Sequence, residues 1–239
     1  MHDRNLKQDV VLASHILFRT GVLDAFGHVS RRHPDRPGSL LMSRSMAPGL
    51  VSEDDILELD FDGKPLNEPG ARVFLERFIH CEIYRRRPDV MAVVHSHAAA
   101  VLPFTTVRTA ALRPVCHVCG FLRDVDSPFD VAGEVGDGSD LLVRSPELGR
   151  ALAEHLAHSK VVLMRSHGFT TVGASIQEAV FNAVYTQVNA RVQLEALQLG
   201  EPRYLTDAEA KSCEETTLSQ VNRAWDLWVT QYTSKPLPI

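Results

Sequence analysis

The sequence is poor in the features that mark specialised chains. Among 239 residues it has only four cysteines, Cys81, Cys116, Cys119 and Cys213. In a chain this long they do not form a disulfide framework, and a reducing cytoplasm is the expected compartment. No apolar run approaches the roughly 20 residues of a membrane-spanning helix. The first residues, Met1-His2-Asp3-Arg4, carry charge where a secretory leader would be apolar. There is no cationic excess: 25 Lys and Arg stand against 30 Asp and Glu, a formal net charge of −5. No basic run interleaved with aromatics appears either, so neither nucleic acid nor an anionic membrane is an expected partner.

What remains is an ordinary globular composition, 44% hydrophobic and 23% charged. No repeat, low-complexity tract or linker divides it, and one α/β domain over residues 1–239 is expected. Eleven histidines are a mild excess. They justify a search for metal-ligand spacing.

Apolar periodicity predicts a helix over 8–25, interrupted near Gly21. Gly27-His28-Val29-Ser30 reads as a turn entering a strand, residues 40–43 as a short strand, and 56–60 as another after a capped turn at Ser52–Asp55. Asp62-Gly63 is a hairpin signal. Residues 72–87 read as a helix stopped by Pro88, and 102–140 as loop with short strands. Helices are expected over 146–158, 176–199 and 207–228, with Ser145 capping the first and Gly200 stopping the second. Strands that alternate with helices but also meet in hairpins predict a mixed sheet covered by helices.

Two apolar strands, 90–94 and 160–164, end in histidine: His95-Ser96-His97 and Ser166-His167-Gly168. His95 and His97 are two apart, so on an extended chain both point to one face and can clasp one ion. His167 would complete a set of three nitrogens, leaving positions open for water or substrate. Gly168 would let the chain turn sharply after it. Chance spacing and a buried, hydrogen-bonded His167 are the bland alternative. Zinc, iron, cobalt and manganese all suit the set. Glu76 lies on the predicted helix between Phe74 and Phe78, where partial burial would raise its pKa toward a working range. An exposed glutamate paired with Arg72 or His80 is the alternative.

The run from Arg72 through Glu76, His80 and Tyr84-Arg85-Arg86-Arg87-Pro88-Asp89 to His95-Ser96-His97 resembles the class II aldolase/adducin family. So do Gly27-His28-Val29-Ser30, and Ser166-His167-Gly168 followed by Val172-Gly173 and Glu178-Ala179. The resemblance spans roughly residues 8–200. It implies a three-layer α/β/α fold with a mixed, largely antiparallel central sheet, and a divalent metal cation at His95, His97 and His167. It also implies acid/base work at Glu76 and a homotetramer with active sites near subunit interfaces. A non-catalytic, adducin-like module would lack the metal histidines.

In the sugar-phosphate branch of that family, small hydroxyl and N–H donors cradle a phosphate. Here His28, the Ser43-Arg44-Ser45-Met46-Ala47-Pro48 stretch and Phe74-Leu75 stand in their place, and the cradle is lost. The sequence is closer to the branch that decarboxylates hydroxylated aromatic dicarboxylates. That resemblance implies a metal-held aromatic acid, with Arg44 or Arg72 forked onto a carboxylate. Ser43 would stand beside it, Phe74 and Phe104 would flank the ring, and His28 would hydrogen-bond the leaving carboxylate or the phenol. An aldolase or epimerase acting on a sugar phosphate or hydroxy-keto acid is the alternative. Cys116-His117-Val118-Cys119 reads as buried free thiols in a strand, since a structural zinc would want a second pair. His80 is expected to pack or pair on its helix.

Overall fold

A computed structural model describes residues 2–136 and 138–233. Its strands form a six-stranded sheet in the order β3-β2-β1-β4-β6-β5, from β1 (His28–Arg32), β2 (Ser39–Ser43), β3 (Ile56–Asp60), β4 (Ala92–Ser96), β5 (Val161–Met164) and β6 (Gly168–Gly173). Every strand pairing is antiparallel. Among the described residues, a parallel pairing enters only at the outer edge of β5, where Phe129 bridges to Met164. β4 and β5 do run parallel, each arriving from a helix, but β6 folds back from β5 and inserts between them.

The strands are apolar without alternation because both faces of the sheet are covered. Ala92 and Val94 of β4, Leu41 of β2, and Val161 and Leu163 of β5 face one core with α1 (His2–Arg19) and α6 (Ile176–Leu199). Val93, Leu40, Met42, Val162 and Met164 face a second core with α2 (Arg77–Arg86) and α5 (Pro146–Leu156). The result is a three-layer α/β/α fold. Ser145 caps α5 by accepting from the Leu148 N–H at 3.3 Å, and Pro146 occupies its first turn.

Three predicted elements differ. The helix expected over 72–87 begins only at Arg77, because the Arg77 guanidinium donates to the Phe74 and Gly63 carbonyls and holds 72–76 as an irregular strap. The segment 102–140 holds short helices, α3 (Leu102–Thr106), a 3₁₀ turn at His117–Leu122 and α4 (Val131–Val135), where strands were expected. Cys119 is a free thiol on that 3₁₀ turn and Cys116 a free thiol on the extended residue just before it, outside any strand, and Cys116 is only half-buried. The last predicted helix breaks at Ser219-Gln220 into α7 (Asp207–Leu218) and α8 (Val221–Thr233).

Candidate metal centre and active-site cavity

Period-2 geometry carries His95 onto the α2 side of the sheet with Val93, and His97 follows on the same side as β4 ends. His167 arrives from the tight β5–β6 turn, in which Ser166 takes the left-handed conformation (φ 54°). Gly168 has a different task from the turn expected of it. A Cβ there would lie 2.1 Å from the Ser96 carbonyl oxygen, so only glycine lets β6 close against β4 and bring His167 to His97.

The three histidines and Glu76 converge, with one ligand atom of each lying within 4.8 Å of the others. His97 Nε2 stands 3.0 Å from both His95 Nε2 and His167 Nε2. His95 Nδ1 is 3.2 Å from Thr170 Oγ1, and in the Nδ1–H tautomer it donates to that hydroxyl, which can pass its own proton on to the Met164 sulfur. His167 Nδ1–H donates to the Leu141 carbonyl at 2.9 Å. In these tautomers both rings turn an Nε2 lone pair inward, and His97 can hydrogen-bond at most one of them. Nitrogens bound to one ion at about 2.0–2.1 Å stand roughly 3.0–3.4 Å apart. The donor set fits a shared cation, with outer partners that hold the ligand rings in place.

Burial disfavours the protonated form of His95 and His97. His95 lies well below the ordinary histidine pKa through desolvation, reinforced by its histidine neighbours, and His97 is lowered for the same reasons. Burial also disfavours charge on His167, but the Glu76 carboxylate outweighs it and raises the pKa. Glu76 sits at the junction before α2 and is buried. Its Oε1 accepts from the Val143 N–H at 2.9 Å, while Oε2 lies 3.4 Å from His167 Nε2 and 3.6 Å from His95 Nε2.

The cluster opens into a cavity of about 500 Å³ whose lining includes Phe26, His28, Arg72, Phe74, Glu76 and His97. His28 pairs with His95 across the β1–β4 ladder, and its ring stacks obliquely on Phe74 at 4.6 Å.

Residues 8–194 match the class II aldolase and adducin N-terminal domain. The chain belongs to the class II aldolase and adducin family. Over 91% of its length it is 42% identical to decarboxylase tropJ of Talaromyces stipitatus, covering 90% of that protein. It is 27% identical to the 3,4-dihydroxyphthalate decarboxylase of Arthrobacter keyseri, over 81% of this chain and 79% of that one. L-fuculose 1-phosphate aldolase from Glaciozyma antarctica shares the fold at a TM-score of 0.78, with 22% identity over 98% of this chain and 92% of that one. The chain is a lyase-type enzyme.

On this class II aldolase scaffold the predicted site residues separate. His95, His97, His167, Glu76, His28 and Arg72 come together at the metal centre and its cavity. Arg44 does not: it is held by Asp55 at 3.2 Å and Glu68 at 3.0 Å, outside the cavity lining. Ser43 is buried in β2 and also absent from the lining, where Ser45 stands instead. Phe104 lies in the core on α3 rather than against a ligand. Phe26, 68% exposed at the cavity mouth, was not anticipated. An isolated aromatic before a strand looks the same in sequence whether it packs or waits for a ligand. Among the described residues, no helix is long and apolar enough to cross a membrane.

Proposed function

We propose that the chain is a metal-dependent, non-oxidative decarboxylase of a hydroxylated aromatic dicarboxylate, a small molecule that enters the cavity beside the histidines. The observation that carries this reading is Arg72. Its guanidinium lines the cavity and, among the described residues, makes no ion pair or side-chain hydrogen bond. Arg72 is an exposed residue at this cavity, so its unpaired guanidinium is open to an anionic ligand, and its planar fork suits a carboxylate. Phe26 and Phe74 add aromatic surface to the same cavity. The tropJ relative, a decarboxylase over nearly its full length, supports the same chemistry.

His95, His97 and His167 would hold the cation, and an imidazole set suits zinc, cobalt or iron, or manganese where oxygen ligands are added. When bound, the cation supplies a Lewis acid against the negative charge that accumulates as CO2 departs. Arg72 holds the carboxylate that remains and fixes the ring. His28 hydrogen-bonds the leaving carboxylate or the phenolic oxygen. The bond from ring carbon to carboxyl carbon breaks and its electron pair stays on the ring; Glu76, having first taken up a proton from solvent, delivers it from Oε2 to that carbon and is left as the carboxylate. The Val143 N–H pins Oε1, so the other oxygen faces the centre.

The test is a panel of hydroxylated phthalates and hydroxypyridine dicarboxylates, with a sugar-1-phosphate control. CO2 and aldehyde are measured after chelation and after manganese, zinc or cobalt is restored. Metal-dependent CO2 release supports the reading. Aldehyde from the sugar phosphate without CO2 from any acid overturns it.

A further inference from the structure

Behind His28 a row of buried polar groups runs away from the cavity. His28 and Ser30 are two apart on β1, and His80 and Tyr84 one turn apart on α2, so the two pairs face each other between sheet and helix. His28 Nδ1 is 2.7 Å from His80 Nε2, His80 Nδ1 is 2.6 Å from Ser30 Oγ, and Ser30 Oγ is 2.7 Å from the Tyr84 hydroxyl. All four side chains are buried, Ser30 and His80 completely. Neither a packing role nor an i±4 pairing on α2 accounts for three short contacts in series.

Counting protons gives the row a direction. Tyr84 and Ser30 have one O–H each, and each neutral imidazole has one N–H. Burial holds His80 neutral, its pKa pushed down to about 3. If His28 Nδ1 donated to His80, His80 would donate to Ser30 and Ser30 to Tyr84. The Tyr84 O–H would then be buried with no acceptor, because Ser30 Oγ is its one hydrogen-bond partner among the described residues. In the opposite sense every proton is used: Tyr84 donates to Ser30, Ser30 to His80 Nδ1, and His80 Nε2–H to His28 Nδ1. His28 is left with its proton on Nε2, the ring nitrogen without a protein partner, on a ring that lines the cavity.

We propose that Ser30 and His80, with Tyr84 closing the row behind them, are positioning residues: Ser30 and His80 lock His28 in the Nε2–H tautomer, so that it meets the substrate only as a hydrogen-bond donor. The site thereby selects an oxyanion, a carboxylate or phenolate, at that point and refuses a hydroxyl that needs an acceptor. This use of the donor rests on the decarboxylase reading; the tautomer itself does not. The catalytic assignments are unchanged: Glu76 moves the proton and His28 holds an oxygen.

The test uses the zinc-loaded, full-length protein with isotopically labelled histidine, His28 being assigned by the His28→Asn variant. Ring nitrogen and Cδ2 shifts separate the two tautomers. Wild type is expected to show Nε2–H at His28. Tyr84→Phe retains it, since Ser30 still donates to His80. Ser30→Ala loses the bias, and it raises KM for an active aromatic acid about tenfold, the effect of a hydrogen bond to a charged group, with zinc content unchanged. An Nδ1–H tautomer in wild type overturns the proposal. So does a Ser30→Ala protein whose His28 shifts match wild type. If no acid in the panel releases CO2, the functional reading fails while the shifts still decide the tautomer.

Discussion

The Glu76 carboxylate reaches the metal centre with one oxygen only: Oε2 lies 3.4 Å from His167 Nε2, while Oε1 is engaged by the Val143 N–H. On the proposed function, Glu76 transfers a proton beside the cluster and the three histidines hold the cation. Glu76→Gln keeps the shape and the Val143 contact but removes the transferable proton. It is expected to lower kcat by about 10²–10⁴-fold while the protein still binds one equivalent of metal per chain. His97→Ala is expected to lose metal and activity together. Metal analysis beside single-turnover CO2 release separates the two; a metal-free Glu76→Gln protein would make Glu76 a ligand.

The two arginines make a paired prediction. Arg72→Ala removes the unpaired cavity guanidinium and is expected to raise KM for a dicarboxylate about 10–100-fold, the scale of a charge-assisted hydrogen bond pair. Arg44→Ala breaks partly buried and exposed pairs, with Asp55 and Glu68 respectively, away from the cavity lining, so its kinetics should match wild type while its stability falls by about 1 kcal/mol. Steady-state kinetics and thermal melts on the two variants check this.

Acid should destabilise the metal-free protein. His28, His80 and His95 are fully buried with pKa values lowered from 6.5, His80 to about 3. Below pH 6.5 the unfolded chain takes up protons that the folded state refuses, so stability falls as pH drops from about 6.5 toward 3. Each such histidine adds up to about 1.4 kcal/mol per pH unit to the slope. Urea melts at a series of pH values measure it. Metal should steepen the fall further, because protons compete with the cation for the same nitrogens. Stability that is flat from pH 7 to 5 would contradict this.

Gly168→Ala places a methyl group 2.1 Å from the Ser96 carbonyl. Overpacking of this kind costs roughly 1–3 kcal/mol, and here it parts β6 from β4 at the point where His97 and His167 meet. A lowered Tm together with weakened metal affinity is expected; a lower Tm with unaltered affinity would mean that the strands part elsewhere.

Much of this centre was legible because strand geometry is local. Residues 93, 95 and 97 share a face by period 2 alone, and an apolar run ending in histidine marks where the sheet stops. Glu76 was legible as a residue but not in its setting. Phe74 and Phe78 at i, i+4 imitate a helix, whereas the Arg77 side chain captures the preceding carbonyls and begins the helix after Glu76. Whether Arg44 or Arg72 faces the ligand depends on Asp55 and Glu68, which only the folded chain brings to Arg44. His80 looked like a packed helix residue because its partners, His28 and Ser30, lie some 50 positions away. The single helix predicted over 207–228 is broken at Ser219-Gln220, a break its hydrophobic pattern does not betray.

The most direct test of the central claim is the fate of the ring carbon. The reaction is run in D2O with a hydroxylated phthalate, or the active member of the panel, and the product is read by NMR. One deuterium is expected at the position vacated by each CO2, formed by the metal-restored enzyme and lost in both the chelated protein and Glu76→Gln. An acid panel recovered with every carboxylate in place, alongside aldehyde from the sugar phosphate, would contradict it.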